Sequence, residues 1–480
     1  MLINENAPKH PIKVIQFGEG NFLRAFVDWM VQEMNDQGLF NGQVAVVQPL
    51  ANGLTELLEN QQCAYTHYLK GMKDGQPHEE HYINRSIQTT VNPYKNFDQF
   101  LDLAAIETAE IIVSNTTEAG IEFNDKDQFD DNEDLTYPGK LTRLLLERYN
   151  LVNGDKDQGF LILPCELIDN NADRLKECVL AYVELWSLPE GFRQWIERAN
   201  QFCNTLVDRI VPGYPRDTIE EIWTDLGYKD QLVVESELFN LWVIEGDERV
   251  KHAFPAAQAG CNLLVVDDVK PYKQRKVRIL NGAHTSMVPV ALLNGQTTVR
   301  GAIETPLIES YLNKVLFDEI MPTLPLPKEE IETFAAEVIE RFKNPFIKHY
   351  LMSISLNSMS KYRTRVLPSL TSYLDSEGQL PKGLVAALAS YIVFYRATYK
   401  DMTFETKDNP DIIELYKNLW DSWDESDSGL RTIVETVLGY EANWQGNLNH
   451  IPGLTDLVSS YVKIILESSI ETLLEGSVIA

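Results

Sequence analysis

The stretch 12–34, IKVIQFGEGNFLRAFVDWMVQEM, decides the fold. Lys13 to Phe17 reads as a buried strand, Gly18-Glu19-Gly20 as a tight turn, and the rest as a helix with Phe22, Phe26, Trp29 and Met30 at helical spacing. A second apolar run, Gln43 to Val47, follows one helix later. Strand, helix and strand at this interval open a parallel α/β sheet. Glu110 to Ser114 and Gly159 to Leu163 are further short aliphatic runs that stop at polar residues, as the carboxyl ends of buried strands do. Ligand sites in such sheets collect at those ends.

The turn has the opening of a dinucleotide fingerprint. Gly18 permits the sharp bend, and Gly20 lets the backbone approach a pyrophosphate at a helix amino terminus. The third glycine of that fingerprint is replaced by Leu23, and Arg24 follows it, placed either to reach the phosphates or to pair with a carboxylate. The cofactor contacts expected here are Phe17, Gly18, Gly20, Asn21, Phe22 and Arg24. The second strand ends at Gln48, where folds that take NAD commonly carry Asp or Glu for the ribose hydroxyls. A neutral Gln48 with no Arg or Lys beside it leans toward NAD over NADP.

Outward from this region, composition narrows the possibilities. Among 480 residues, 42 Lys+Arg against 71 Asp+Glu give a net charge of −29, which disfavours nucleic-acid and anionic-membrane partners. Five cysteines, an odd number without CxxC spacing, fit neither a disulfide framework nor a zinc ribbon and suit a reducing cytoplasm. The longest apolar stretch, Leu384 to Tyr395, is short of a bilayer span, and the amino terminus lacks an apolar targeting core. The acid-rich segment Asp125 to Asp134 reads as a solvated loop. After about residue 270 helical periodicity takes over. Ile331, Phe334, Ala335, Val338, Ile339 and Phe342 line one face, with Pro322, Pro325 and Pro327 before them and Asn344-Pro345 behind. The expected organisation is an α/β Rossmann-like dinucleotide-binding domain over 1–270 and a mainly α-helical domain over 271–480, with chemistry in the cleft between them.

The segment Lys276-Val-Arg-Ile-Leu-Asn281-Gly-Ala-His284 carries the most chemistry. On an α-helix Asn281 lies about 140° and His284 about 80° around from Lys276, so the three share a face. Lys276 can then protonate a carbonyl oxygen that is becoming alkoxide while Asn281 and His284 hold that oxygen. Lys273, Arg275 and Arg278 flank Lys276, and cations and burial both lower a lysine pKa. The spacing is equally compatible with a surface helix and a core histidine. His78 and His81 in PHEEH have ligand-like spacing, but no third ligand is near and a solvated loop is expected; no metal site is expected anywhere. Ser286 beside His284 lacks the surroundings of a nucleophile.

Three motifs, GxGxxxR at 18–24, Val207-Asp208-Arg209-Ile210-Val211-Pro212, and Lys-x4-Asn-x2-His at 276–284, occur in one order. From about Val14 to Ser372 the chain resembles the long-chain polyol dehydrogenases, a family that includes mannitol 2-dehydrogenase and the hexuronate reductases. The segments IQFGEGNFLRAF and LPCELIDNNADRLK are most similar to the hexuronate reductases. The resemblance implies metal-independent, NAD-linked hydride transfer on a sugar acid, with Lys276 as catalytic lysine and Asn281 and His284 as its partners. It places a second oxyanion-holding asparagine at Asn171, which also suits a helix cap, and puts Asp208 and Arg209 near the nicotinamide and substrate. It puts a substrate-binding lysine at Lys361, with Arg363 and Arg365 following. Ser353 stands where the mannitol enzymes have an arginine, which speaks against plain mannitol as substrate. The positive islands 273–278 and 361–365 suit a carboxylate-bearing substrate. The alternatives are a fructuronate reductase or polyol 2-dehydrogenase, and, in a different class, an NAD-binding redox sensor without turnover. The sequence carries no statement of oligomeric state.

Overall fold

Six parallel strands form the sheet that the opening stretch announces. In a computed structural model describing residues 9–117 and 119–479, the strands of the first unit are, in chain order, β1 (Ile12–Phe17), β2 (Gln43–Val47), β3 (Tyr65–Lys73), β4 (Gln76–Asn84), β5 (Ile87–Val91), β6 (Ile111–Ser114), β7 (Leu161–Pro164), β8 (Gln201–Phe202), β9 (Thr205–Asp208), β10 (Val234–Ser236), β11 (Leu241–Glu245) and β12 (Leu263–Val266). The main sheet has the order β5-β2-β1-β6-β7-β8. Its strand order reverses at β1 and β6, the switch point beside which open α/β sheets bind ligands.

Alternation along the strands builds two cores. Val14, Val44, Val46, Ile111 and Val113 face one side and pack with Phe26, Met30 and Trp242. Ile15, Phe17, Ala45, Val47 and Ile112 face the other, with Phe100, Leu144, Val179 and Trp195. Burial on both faces is why these strands read as continuous apolar runs. Two three-stranded sheets, β10-β3-β4 and β12-β11-β9, complete the unit.

Three local expectations are corrected. The first helix is not continuous: Asn21–Arg24 and Val27–Asp36 are separate helices broken at Ala25-Phe26. The carbonyls freed at the break are taken from outside, Arg24 O by the Tyr65 hydroxyl at 2.7 Å and Ala25 O by Arg209 Nη1 at 2.7 Å. The acid-rich segment is not wholly solvated, because Asp127 is buried and accepts from Tyr182 Oη at 2.6 Å and from Thr136 N at 3.2 Å. His78 and His81 sit on β4 and not on a loop, with His81 stacked on Tyr68.

Contacts divide the chain into one unit of the residues through Gly71 and His78–Val269, and a second of Met72–Pro77 and Lys270 onward. The second unit is largely helical. Gly282–Leu293 is buried along its whole length and Lys382–Phe394 from Gly383 onward. Being apolar on all sides they form the centre of this unit, which accounts for the apolar stretch beginning at Leu384. Lys328–Phe342 packs the stripe Ile331, Phe334, Ala335, Val338 and Phe342. Among the described residues, no helix is long and apolar enough to cross a membrane, and no group of three or more His, Cys, Asp or Glu is arranged to hold a metal.

Candidate active site

At the carboxyl end of β1, Gly18 has φ +125°, a conformation that side chains rarely adopt, and a Cβ there would lie 2.9 Å from Asn115 O. Its N–H donates to Val47 O at 3.0 Å, tying the turn to β2. Gly20 differs: it precedes the Asn21–Arg24 helix in extended conformation, and a Cβ on it would meet nothing within 4 Å. The one glycine is required by the bend, and the other leaves open space at the edge of the turn, where a phosphate could approach the backbone.

The expected contacts around this turn divide. Phe17 lies in the core against Phe100 and Tyr137, and Phe22 stacks on Phe26 at 5.0 Å. Arg24 is 1% exposed and does not reach outward. Its Nε donates to Glu19 O at 3.2 Å, Nη2 to Asn21 Oδ1 at 2.7 Å, and Nη1 to Leu232 O. The guanidinium therefore braces the turn from beneath. The Gln48 amide donates to Leu50 O at 2.8 Å and Ala51 O at 3.1 Å and accepts from the Thr55 hydroxyl, so it folds the loop after β2. Glu19 adds a second tie to that loop by accepting from Leu54 N at 3.1 Å. Burial raises the Glu19 carboxyl above its usual range.

Asn171 begins the Asn171–Leu185 helix and is 1% exposed. Its Nδ2 donates to Pro164 O at 3.0 Å and Glu166 O at 3.1 Å, and its Oδ1 accepts from Thr205 N at 3.0 Å. It knots β7, the helix and β9 together. Asp208 is buried at the end of β9. Arg209 is buried too, donating from Nε to Glu237 O at 3.0 Å and from Nη1 to Ala25 O, with Trp29 under the guanidinium at 4.1 Å. Burial lowers its pKa to about 10. Tyr65 and Arg209 thus take the two carbonyls, of Arg24 and Ala25, that the break in the helix leaves open.

In the second unit, Lys276–Asn281 is a π-helix that runs into the Gly282–Leu293 α-helix. The α-helical angles are corrected accordingly. In an i→i+5 pattern, residues five apart stand nearly one above the other, so Asn281 comes closer to the face of Lys276 than about 140°. Lys276 and Asn281 are half-buried and His284 is buried. The His284 ring stacks on Phe342 at 4.2 Å and meets His349 edge-on at 5.0 Å. Its Nε2 is buried without a hydrogen-bond partner among the described residues. Burial, reinforced by the charges of His349, Arg341, Arg365 and Lys361, holds the imidazole well below the usual histidine range, so it is neutral at pH 7. Pro289 lies inside the α-helix and cannot donate to the carbonyl of Thr285 one turn back. Tyr391 Oη donates to that oxygen at 2.8 Å, and Tyr311 Oη to Ser286 O at 3.3 Å. Two buried tyrosines thereby brace the turn that carries His284.

The two positive islands are largely absorbed by structure. Arg275 pairs with Glu330 Oε1 at 2.8 Å, and Arg278 Nη1 donates to Thr323 O at 3.1 Å. In the Ser358–Arg365 helix, Arg363 donates to Asn443 O at 2.7 Å, whereas Lys361 donates to Ile354 O at 2.8 Å and its charge acts on the His284 ring. Burial, then the neighbouring Arg365, lowers the Lys361 pKa.

The chain matches the mannitol dehydrogenase Rossmann domain over residues 12–256 and the mannitol dehydrogenase C-terminal domain over 268–466. The chain belongs to the mannitol dehydrogenase family. It is an oxidoreductase acting on CH–OH groups. This mannitol dehydrogenase family member is 45% identical to the altronate oxidoreductase of Bacillus subtilis (strain 168), covering 98% of this chain and 97% of that one. It is 46% identical to the altronate oxidoreductase of Phocaeicola vulgatus, covering 99% of both. In fold it is similar to a D-sorbitol dehydrogenase solved in substrate-free form, with TM-score 0.80 at 20% identity over 97% of this chain and 95% of that one. The Pseudomonas fluorescens mannitol 2-dehydrogenase, solved as a ternary complex with NAD and D-mannitol, aligns with TM-score 0.65 at 20% identity, covering 97% of this chain and 94% of that one.

Sequence reasoning about this family member missed His349, Phe342 and Tyr391. Each reaches the His284 turn from a distant segment, and none belongs to a motif or to a periodicity that points toward His284. The one local clue was Pro289, whose missing N–H announces an unpaired carbonyl inside a buried helix.

Proposed function

We propose that the chain is an NAD-dependent hexuronate reductase that interconverts D-tagaturonate and D-altronate, with Lys276 as the general acid and base. One observation carries this reading: Lys276, Asn281 and His284 follow one another on a continuous helical stretch, and His284 is neutral with a buried Nε2 that has no hydrogen-bond partner among the described residues. The naming of relatives at 45% and 46% identity as altronate oxidoreductases supports the substrate.

In reduction, Lys276 Nζ delivers a proton to the ketose oxygen as it becomes alkoxide; in oxidation the neutral amine takes the hydroxyl proton. Asn281 Nδ2 donates a hydrogen bond to the same oxygen. A neutral imidazole keeps one ring N–H, so His284 can also donate without competing with Lys276 for the transferred proton. Phe342 and His349 fix the ring plane and exclude water from it. Lys361 contributes a cation on the substrate side. The Gly18-Glu19-Gly20 turn would hold the cofactor, which when bound would accept the hydride as NAD and donate it as NADH. The segment from Gln48 to Asn60 contains no Arg or Lys to attract a 2′-phosphate, which favours NAD over NADP. Five cysteines without a disulfide suit a reducing cytoplasm.

The test is a panel of D-tagaturonate, D-fructuronate and D-fructose with NADH and with NADPH, followed by loss of nicotinamide absorbance. The highest kcat/KM is expected for D-tagaturonate with NADH. A higher value with either other ketose, or with NADPH, overturns that part of the reading.

A further inference from the structure

Arg365 ends the Ser358–Arg365 helix, one turn after Lys361 and on the same face. Its carbonyl lies 3.2 Å from where a Cβ on Gly282 would stand, so this end of the helix presses on the junction between the π-helix and the helix of His284. Its side chain is half-buried. Among the described residues, Arg24, Arg209, Arg275, Arg278 and Arg363 each donate to a named oxygen. The Arg365 guanidinium has no hydrogen-bond or ion-pair partner among the described residues. A half-buried guanidinium that no protein acceptor claims is open to one from outside, and its planar fork matches a carboxylate at two points. The charge of Arg365 acts on the nearby His284 ring, whose Nε2 is buried without a partner among the described residues.

We infer that Arg365 is the specificity-determining residue that receives the substrate's carboxylate and sets the preference for a sugar acid over the neutral sugar alcohol of the same configuration. The inference rests on the hexuronate reading above and deepens it. Arg363 and Arg209, the neighbouring candidates by sequence, are committed to the carbonyls of Asn443 and Ala25.

The experiment compares kcat/KM for D-altronate and for D-altritol, its counterpart without a carboxylate, at saturating NAD in the wild-type enzyme, Arg365→Met and Arg365→Lys. The methionine variant is expected to lose about 10- to 150-fold on D-altronate, the range for a buried charge-assisted contact, with a much smaller change on D-altritol. The lysine variant, with a point charge and no fork, is expected between the two. Added guanidinium chloride at millimolar concentration should restore part of the loss in Arg365→Ala for D-altronate alone. Thermal midpoint and NAD affinity check folding. If Arg365→Met does not fold, Arg365→Lys carries the test, and equal loss on both substrates overturns the inference. Wild-type enzyme that favours D-altronate while Arg365→Met favours it equally overturns the inference alone. Wild-type enzyme that does not distinguish the two substrates overturns the hexuronate reading together with it.

Discussion

Asp28→Asn should stabilise the first unit by an amount that grows with pH. Asp28 is fully buried in the Val27–Asp36 helix, beneath the glycine turn. Gln16 Nε2 donates to its Oδ2 at 3.2 Å and to Gly18 O at 3.0 Å, while Oδ1 has no hydrogen-bond partner among the described residues. Burial pushes its pKa up to about 7, against the opposing pull of Gln16 and Arg24. In the unfolded chain the carboxyl releases its proton near pH ~3.9. Between these two values the folded protein binds more protons than the unfolded one, so stability falls as pH rises through that window. About three pKa units correspond to about 4 kcal/mol of destabilisation once both states are ionised. Asparagine keeps the shape and cannot ionise. Because a two-unit chain need not unfold in one step, the readout is native-state hydrogen exchange of the β1 amides in both proteins from pH ~5 to ~8. Comparison at each pH cancels the intrinsic exchange rates. The advantage of Asp28→Asn should widen by about 2–3 kcal/mol across this range. A constant difference would refute the assignment of a proton to buried Asp28.

The two glycines of the turn should fail differently. Gly18→Ala meets Asn115 O at a positive φ and should cost about 1–3 kcal/mol of stability, read by thermal unfolding. Gly20→Ala should leave that midpoint unchanged and weaken NAD binding, measured by fluorescence titration, because its methyl group enters the open space at the edge of the turn. Lys276→Ala should lower turnover by about 10²–10⁴-fold with NAD affinity little changed; near-normal turnover would remove the lysine from the proposed proton transfer. Tyr391→Phe leaves Thr285 O without its donor and should cost about 1–3 kcal/mol in thermal unfolding. It should also reduce kcat, since the turn carrying His284 loses a brace, and an unchanged kcat would show that the turn holds without it.

Whatever depends on neighbours along the chain was legible in the residues alone. Short aliphatic runs marked β1, β2, β6 and β7, because burial on both faces of a parallel strand favours apolar side chains at most of its positions. Gly18-Glu19-Gly20 marked the turn, and the spacing of Lys276, Asn281 and His284 put three functional groups on one stretch. The tertiary structure decided which polar groups are available. Arg24, Arg209, Arg363 and Gln48 look outward by sequence, yet each is consumed by backbone carbonyls, of Leu232, Ala25, Asn443 and Leu50 respectively. A buried carbonyl without a donor is costly, and only the fold reveals which carbonyls a helix break has left open. Helical arithmetic likewise could not foresee the π-helix at Lys276–Asn281, because an i→i+5 register is set by what packs around the segment and not by its own residues. The neutrality of His284 is a property of the assembled unit. Phe342, His349 and the charges of Arg341, Lys361 and Arg365 arrive from separate segments, and desolvation acts on a ring only when all of them have closed around it.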